Sequence, residues 1–400
     1  MPNATAEGAA DPRREERAPT GRPDLLGLAP GELETALARH FGALGEPAYR
    51  TAQVRRWIYG PEAASFDRMD NLPAAVRTGL GRAFRLATLS PRSVSRSRDG
   101  TAKHLWALRD GELVESVLIP EGRRLTLCLS SQAGCALGCT FCATGWAGFS
   151  RQLGPGEIAG QFRAARAWAL ANGYGRITHV VYMGMGEPLA NRAALNTSLT
   201  VLNGGFGIGA RRITVSTVGI VPGIRELSER PEQFGLALSL HAPLPELRAR
   251  LIPLEKRYPL PEVIAAVRDY RARKRRRVTF EYTMIRGVND DPSLVPELAR
   301  LAREAGAFVN LIPFNPIPDR EWVASRPSTV ERFRTSLRAS GIEAAVRRPR
   351  GRDIDAACGQ LRATAVAGPA GAGTPERGCR SGGPRLSGSA ARTGPSEPRG

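Results

Sequence analysis

The chain has few long apolar runs. None of its 400 residues falls in a stretch near the roughly 18 to 20 consecutive apolar residues that a membrane-spanning helix needs. Its first residues, MPNATAEGAADPRREERAPTGRP, carry acids and prolines and no apolar leader segment, so the expectation is a cytoplasmic protein with no membrane partner. Cysteine is scarce as well: six residues, with Cys128, Cys358 and Cys379 far apart and Cys135, Cys139 and Cys142 clustered. That distribution excludes the disulfide framework of a small secreted domain and leaves metal or thiol chemistry. Lysine is almost missing, at three of 57 basic residues, and the formal net charge is +19. A cationic surface gains affinity for polyanions by releasing their counterions, and arginine suits bidentate phosphate contact, although a chain-wide preference for arginine also arises from coding bias.

What is present is organised in four parts. Residues 1–22 and 363–400 are rich in Gly, Pro, Ala and Ser without hydrophobic periodicity, which predicts disordered tails, and Cys379 in the second has no assigned role. Residues 23–90 read as a small helical accessory domain built from PGELETALARHFGAL, YRTAQVRRWIYG and PAAVRTGLGRAF. It is either a packing extension or an RNA-docking module using Arg55, Arg56 and Trp57. Residues 91–362 form the core domain. After a hairpin in AKHLWALRDGELVESVLIP, strand patterns RLTLCLS, ITHVVYM, RITVST, GLALSLH, VTFEYTM and AFVNLIP alternate with helical stretches. Near-continuous apolar strands joined by helices imply a parallel α/β sheet, and six units predict a partial (β/α)6 barrel of TIM type.

In such a barrel, chemistry collects at the C-terminal ends of the strands. There the sequence places the cysteine loop GCALGCTFCATG, then GMGEP (Gly184 to Pro188), Ser216 and Thr217, Ser239 and His241, and Phe314-Asn315-Pro316. One shared pocket at the mouth follows. GMGEP is not a dinucleotide fingerprint, because Leu189 occupies the place of the third glycine. Its two glycines would let a ligand lie against backbone, and Glu187 could accept hydrogen bonds from an ammonium group; a plain glycine-rich turn is the alternative. His241 is balanced between a satisfied core histidine and a ligand contact.

The spacing CxxxCxxC offers three thiols with no fourth Cys or His nearby. Structural zinc sites are usually closed by four ligands, whereas a cubic 4Fe-4S cluster held by three thiolates keeps one iron open. Zinc completed by Cys358 is the competing reading. Cys128 alternates with Leu125, Leu127 and Leu129 and so points to the opposite strand face, while Cys358 lies in DIDAACGQL beside a permissive glycine.

With these residues in view, the cysteine loop resembles the radical S-adenosylmethionine (SAM) superfamily. CLSSQAGCALGCTFCATG, GMGEP, STVGIVP, SLHAP, FNPIP and GRDIDAACGQL in this order resemble the RlmN family of RNA methyltransferases, from about Leu25 to Leu361. The resemblance implies methylation of carbon 2 of adenine in 23S rRNA and in certain tRNAs, at the adenine 3′ to the anticodon, with the sister activity at carbon 8 as the alternative. It implies cluster ligation by Cys135, Cys139 and Cys142, and SAM contacts from Gly186, Glu187, Ser216, Ser239, Leu240, His241 and Asn315. Cys358 would carry the methyl group, Cys128 would resolve the adduct through a transient disulfide, and Glu115 would accept a proton. An electron donor such as flavodoxin or ferredoxin and a monomeric chain complete the expectation. Phosphate-contact candidates are Arg271 to Arg277 (RARKRRR) and the group Arg347, Arg348, Arg350 and Arg352, the second favoured because it leads directly to Cys358.

Overall fold

The computed structural model describes residues 21–60, 65–87, 89–317 and 321–361. The predicted tails, with Cys379, lie outside these residues except for Gly21 and Arg22.

The N-terminal helices are α1 (Pro30–Ala43), α2 (Tyr49–Tyr59) and α3 (Ala74–Ala83). α1 starts where Pro30 supplies a preset φ and Glu32 accepts from the Ala29 N–H at 3.0 Å. Leu33, Leu37 and Phe41 recur every four residues and are buried along one stripe. This stripe belongs to the same continuous apolar core as the sheet and its helices, so the segment is packed against the rest. Arg55 pairs with Glu34 at 2.9 Å and the Trp57 indole donates to Asn71 Oδ1 at 2.6 Å. Two of the three candidate docking residues therefore make intramolecular contacts.

The core domain opens with an antiparallel meander of β1 (Ser90–Arg96), β2 (Ala102–Ala107), β3 (Leu113–Glu121) and β4 (Arg124–Cys128). A short ribbon follows, β5 (Gln132–Gly134) and β6 (Phe149–Gln152), enclosing the cysteine loop and the single-turn helix α4 (Ala143–Trp146). Then come α5 (Pro155–Ala171), β7 (His179–Tyr182), α6 (Arg192–Thr200), β8 (Ile213–Thr217), α7 (Val221–Glu229), β9 (Gly235–Ser239), α8 (Pro245–Leu251) and α9 (Leu260–Lys274). β10 (Val278–Met284), α10 (Val295–Ala305), β11 (Ala307–Pro313), α11 (Pro327–Ala339) and β12 (Ala344–Val346) complete the chain.

The main sheet has ten strands in the order β1-β2-β3-β4-β7-β8-β9-β10-β11-β12. All neighbours from β4 onward are parallel. The six predicted barrel strands are β4 and β7 to β11, each where its apolar run lies. The sheet is open, because β1 and β12 end it without pairing to each other. Sequence reading missed β12, whose three residues are too short for a pattern, and β1, whose SPRSVSR has no apolar face. No helix among the described residues is long and apolar enough to cross a membrane.

Candidate active site

The parallel strands all end on one side, and there a cavity opens that encloses about 1020 Å³ including its solvent-open mouth. Cys135, Cys139 and Cys142 line it. Their loop is closed at its base by the β5–β6 ribbon, where the Cys135 N–H donates to Gly148 O at 2.8 Å. Gly134 at that closure has φ +79°, and a Cβ there would come 2.1 Å from Gly148 O, so only glycine permits the pinch. Further along, Thr140 N–H donates to Leu251 O at 3.0 Å and Ala143 N–H to Gly359 O at 2.7 Å. The second of these ties the cysteine loop to the segment carrying Cys358.

Burial pushes the Cys135 thiol up to about 11 and raises Cys139 as well, with the neighbouring cysteines adding to it. These two desolvated thiols resist ionisation unless a cationic centre sits beside them. Among the described residues no three His, Cys, Asp or Glu side chains converge on a point suited to one metal ion. A multi-iron cluster takes its thiolates on separate irons, which suits three thiols spread around one cavity.

Glu187, buried at the end of β7, lines the same cavity. Its Oε1 accepts from Leu189 N–H at 3.0 Å and its Oε2 from Val218 N–H at 2.9 Å. Burial raises its carboxyl to about 7, against these hydrogen bonds and one from Thr217. A cationic ligand would draw it back down, and these hydrogen bonds leave the carboxylate one further acceptor position for it. The buried Arg248, paired with Glu255, donates to Val218 O and so supports the loop that holds Glu187.

Both glycines of GMGEP line the cavity, but their reason lies elsewhere. A Cβ on Gly184 would meet Leu129 O at 2.6 Å, and one on Gly186, at φ +94°, would meet Gln132 at 2.5 Å. The turn needs glycine to pass β4 and β5, whether or not a ligand is present. Ser216 and Ser239 face each other with 3.5 Å between hydroxyls. His241 sits at φ +57°, accepts from Thr283 N–H through Nδ1 at 3.0 Å, and is pushed down to about 3 by burial and by Arg248. It is therefore neutral with its proton on Nε2, and its ring packs edge-on to Phe141 at 4.3 Å within the cavity wall.

Leu240 is different. Its side chain is fully buried in the core and its N–H is spent on Glu281 O at 3.1 Å, so the residue does not line the cavity.

A second, smaller cavity lies alongside. Val117, Ile119, Cys128, Asn315 and Arg350 line it, whereas Met183, Ile312, Arg347, Cys358 and Leu361 line both cavities. Cys358 thus stands at the junction, with the cluster cysteines on one side and Cys128 on the other. All five described cysteines are free thiols. Burial pushes Cys128 up to about 12, Cys358 adds to this, and Arg347 opposes it. Asn315 donates to Cys358 O at 3.2 Å, while its Oδ1 is buried without a protein partner. Glu115 lines neither cavity, but it shares the β3 face of Val117 and Ile119, two residues beyond the level of Cys128 toward the strand ends.

Sequence reasoning missed Glu281 and Thr283, which also line the main cavity. Glu281 accepts from Asn310 at 2.7 Å, and burial raises its carboxyl. A lone Glu inside the apolar run VTFEYTM was the signal. Arg347, expected on the RNA-facing surface, is instead a wall of both cavities.

The sheet and this cavity define the class. Residues 129–311 match the family described as the radical SAM superfamily, and residues 24–86 match a ribosomal RNA large subunit methyltransferase N-terminal domain. The crystal structure of a radical SAM methyltransferase from Sphaerobacter thermophilus superposes with a TM-score of 0.81 at 45% identity, covering 86% of this chain and 100% of that one. The protein is a SAM-dependent methyltransferase of the radical type. A probable dual-specificity RNA methyltransferase RlmN of Gemmatimonas aurantiaca is 51% identical over 85% of this chain and 93% of its own. The dual-specificity RNA methyltransferase RlmN of Anaeromyxobacter dehalogenans is 46% identical over 85% and 92%. The chain belongs to the RlmN family of dual-specificity RNA methyltransferases.

Proposed function

We propose that the protein methylates carbon 2 of an adenine in 23S rRNA and of the adenine 3′ to the anticodon in tRNAs. The observation that carries this reading is Cys358 at the junction of two cavities, one lined by the three clustered cysteines and the other by Cys128. Carbon 2 of adenine has no nucleophilic lone pair, so a methyl group cannot reach it by simple displacement.

Cys135, Cys139 and Cys142 would hold a 4Fe-4S cluster, and Glu187, Gly186, Ser216, Ser239, His241 and Asn315 would surround SAM. When bound, the cluster supplies the electron that cleaves SAM and so permits hydrogen abstraction from a methyl group. Before that, the Cys358 thiolate takes a methyl group from one SAM, forming a sulfur–carbon bond as the sulfonium bond breaks. The resulting methylene carbon on Cys358 then adds to adenine carbon 2. The adduct loses one electron, for which the cluster oxidised in cleaving SAM would be the acceptor, and its carbon 2 proton, which goes to Glu115. Cys128 attacks the Cys358 sulfur; a disulfide forms, and the electron pair of the broken carbon–sulfur bond stays on the RNA carbon, which takes up a proton. A reductant restores both thiols, and a flavodoxin or ferredoxin serves as electron donor. The chain acts as a monomer in the cytoplasm, where both RNAs are found.

The test is product analysis. Anaerobically reconstituted protein, methyl-deuterated SAM, reductant and unmodified 23S rRNA should give labelled 2-methyladenosine, and Cys358→Ala should give none. Labelled 8-methyladenosine would move the protein to the sister activity.

A further inference from the structure

The loop that carries Cys358 is anchored at both ends. Downstream, Gly359 O and Leu361 O accept from Ala143 N–H and the Thr144 hydroxyl, and Gln360 donates to Pro316 O at 3.0 Å. These contacts attach it to the cluster side. Upstream, the loop is latched to the β1–β2 hairpin turn. Asp99 Oδ2 accepts from Gly351 N–H at 3.0 Å, and Asp353 accepts from the Ser97 hydroxyl at 2.6 Å and from Arg98 N–H at 3.2 Å. Gly351 is at φ +64°, where a Cβ would come 2.9 Å from Thr101, so the turn and the loop are in close contact.

The third anchor is of another kind. Lys103 on β2 donates through Nζ to Asp355 O at 3.2 Å and pairs with Glu115 Oε1 on β3 at 3.0 Å. Both side chains of the pair are largely shielded, with 16% and 4% exposure. Asp355 is at φ +50°, a conformation uncommon for a residue with a Cβ, and it lies three residues before Cys358. One ammonium group therefore joins the proposed proton acceptor to a strained point of the loop bearing the methyl carrier.

We propose that Lys103 is a positioning residue that couples the charge of Glu115 to the placement of Cys358; this rests on the function proposed above. While Glu115 is a carboxylate, Lys103 is held between it and Asp355 O, and the loop is fixed for addition to the adenine. When the carboxylate takes the carbon 2 proton, the ammonium faces a neutral carboxylic acid and the Coulomb attraction of the pair is lost. The proton moves from carbon to oxygen and no electron is exchanged. Lys103 then holds Asp355 less firmly, and the loop is released at the stage when Cys358 must move against Cys128. The other charged groups on adjoining elements are Arg347 and Arg350 in the neighbouring cavity and Asp99 and Asp353 at the hairpin end. Asp99 has little part in this response: burial raises its carboxyl, but hydrogen bonds from Thr101, Gly351 and Ser97 outweigh it and bring it to about 2.

The experiment has two arms. In protein without cluster or SAM, amide hydrogen exchange of residues 351–358 is compared for wild type, Lys103→Met, Lys103→Arg and Glu115→Gln. Lys103→Met and Glu115→Gln, the latter standing for the protonated carboxyl, should each speed exchange there about tenfold, with Lys103→Arg near wild type and residues 30–80 unchanged. In the reconstituted enzyme, Lys103→Met should still methylate Cys358, read by intact-protein mass, yet form methylated RNA at least tenfold more slowly than Lys103→Arg. Unchanged exchange in both Lys103→Met and Glu115→Gln would overturn the proposal. So would faster exchange with RNA methylation within twofold of wild type, which would make the latch merely structural. If wild type itself makes no methyladenosine, the function is overturned, and the failure is visible in the control and not only in the variant.

Discussion

Two arginine-rich stretches of similar composition, Arg271 to Arg277 and Arg347 to Arg352, occupy opposite ends of one sheet. The first directly precedes β10 and the second directly follows β12. Parallel pairing places Val346 level with Leu311 and Leu311 level with Tyr282. Arg277 therefore lies about six residues, or roughly 20 Å, below the level of Arg347. The first stretch is at the N-terminal strand ends and makes structural contacts there. Arg276 donates to Gln233 O at 2.6 Å, Arg277 pairs with Glu343, and Lys274 donates to Arg230 O. The second stretch lies at the strand ends that bear the cavities. Arg347 lines both, Arg350 lines the smaller one, and Arg348 and Arg352 are exposed beside it. Charge density says that a chain can hold phosphate, and topology decides which charges stand beside the cavities.

Arg347→Gln should reduce RNA methylation at least 100-fold, measured as labelled methyladenosine, because it removes the cation that lines both cavities beside Cys358 and Cys128. Lys at the same position should recover part of the rate. A pH series sharpens the same point. Cys128, pushed up to about 12, is mostly protonated near neutrality, and only its thiolate attacks. In single-turnover experiments from preformed RNA–protein adduct, release should rise about tenfold per pH unit from 7 to 9, because below the pKa each unit of rise in pH multiplies the thiolate fraction by about ten. Arg347→Gln should slow release further at every pH, since Arg347 holds Cys128 down.

Replacing Arg348, Arg350 and Arg352 by Gln should weaken RNA binding about tenfold in moderate salt. It should also lower the slope of log affinity against log salt by about 2, at roughly 0.7 to 0.9 per phosphate contact. Replacing Arg271, Arg275 and Arg277 should leave RNA affinity within twofold. Its cost is in stability alone: the Arg277–Glu343 pair is more than half exposed and contributes about 0 to 1 kcal/mol, read by thermal unfolding. A salt slope that drops equally in both triple variants would break the comparison and bring the lower face into RNA binding.

How much was legible varies with the range of the interaction. The six parallel strands were readable because each is a buried apolar run with its own local signature. The cysteine loop was readable because its three thiols are close in sequence. GMGEP was placed correctly at the cavity, yet its glycines are demanded by Leu129 and Gln132 some 55 residues earlier, a reason that no local pattern contains. Leu240, just past the end of β9, has its side chain in the core, which its place in SLHAP does not reveal. Lys103 drew no notice in the sequence, since its partners Glu115 and Asp355 meet only through strand pairing and the return of the C-terminal loop.

By itself the sequence determined the βα alternation, the cluster-type cysteine spacing, and the set of motifs that identify the family. These are properties of neighbours along the chain, where backbone geometry and hydrophobic periodicity act. Only the tertiary structure decided that Cys358 stands between two cavities, that one arginine group lies beside those cavities while the other supports the far end of the sheet, and that one lysine joins Glu115 to the loop of Cys358. Those relations arise from parallel pairing and loop return across hundreds of residues, where burial and distance act with no trace in local order.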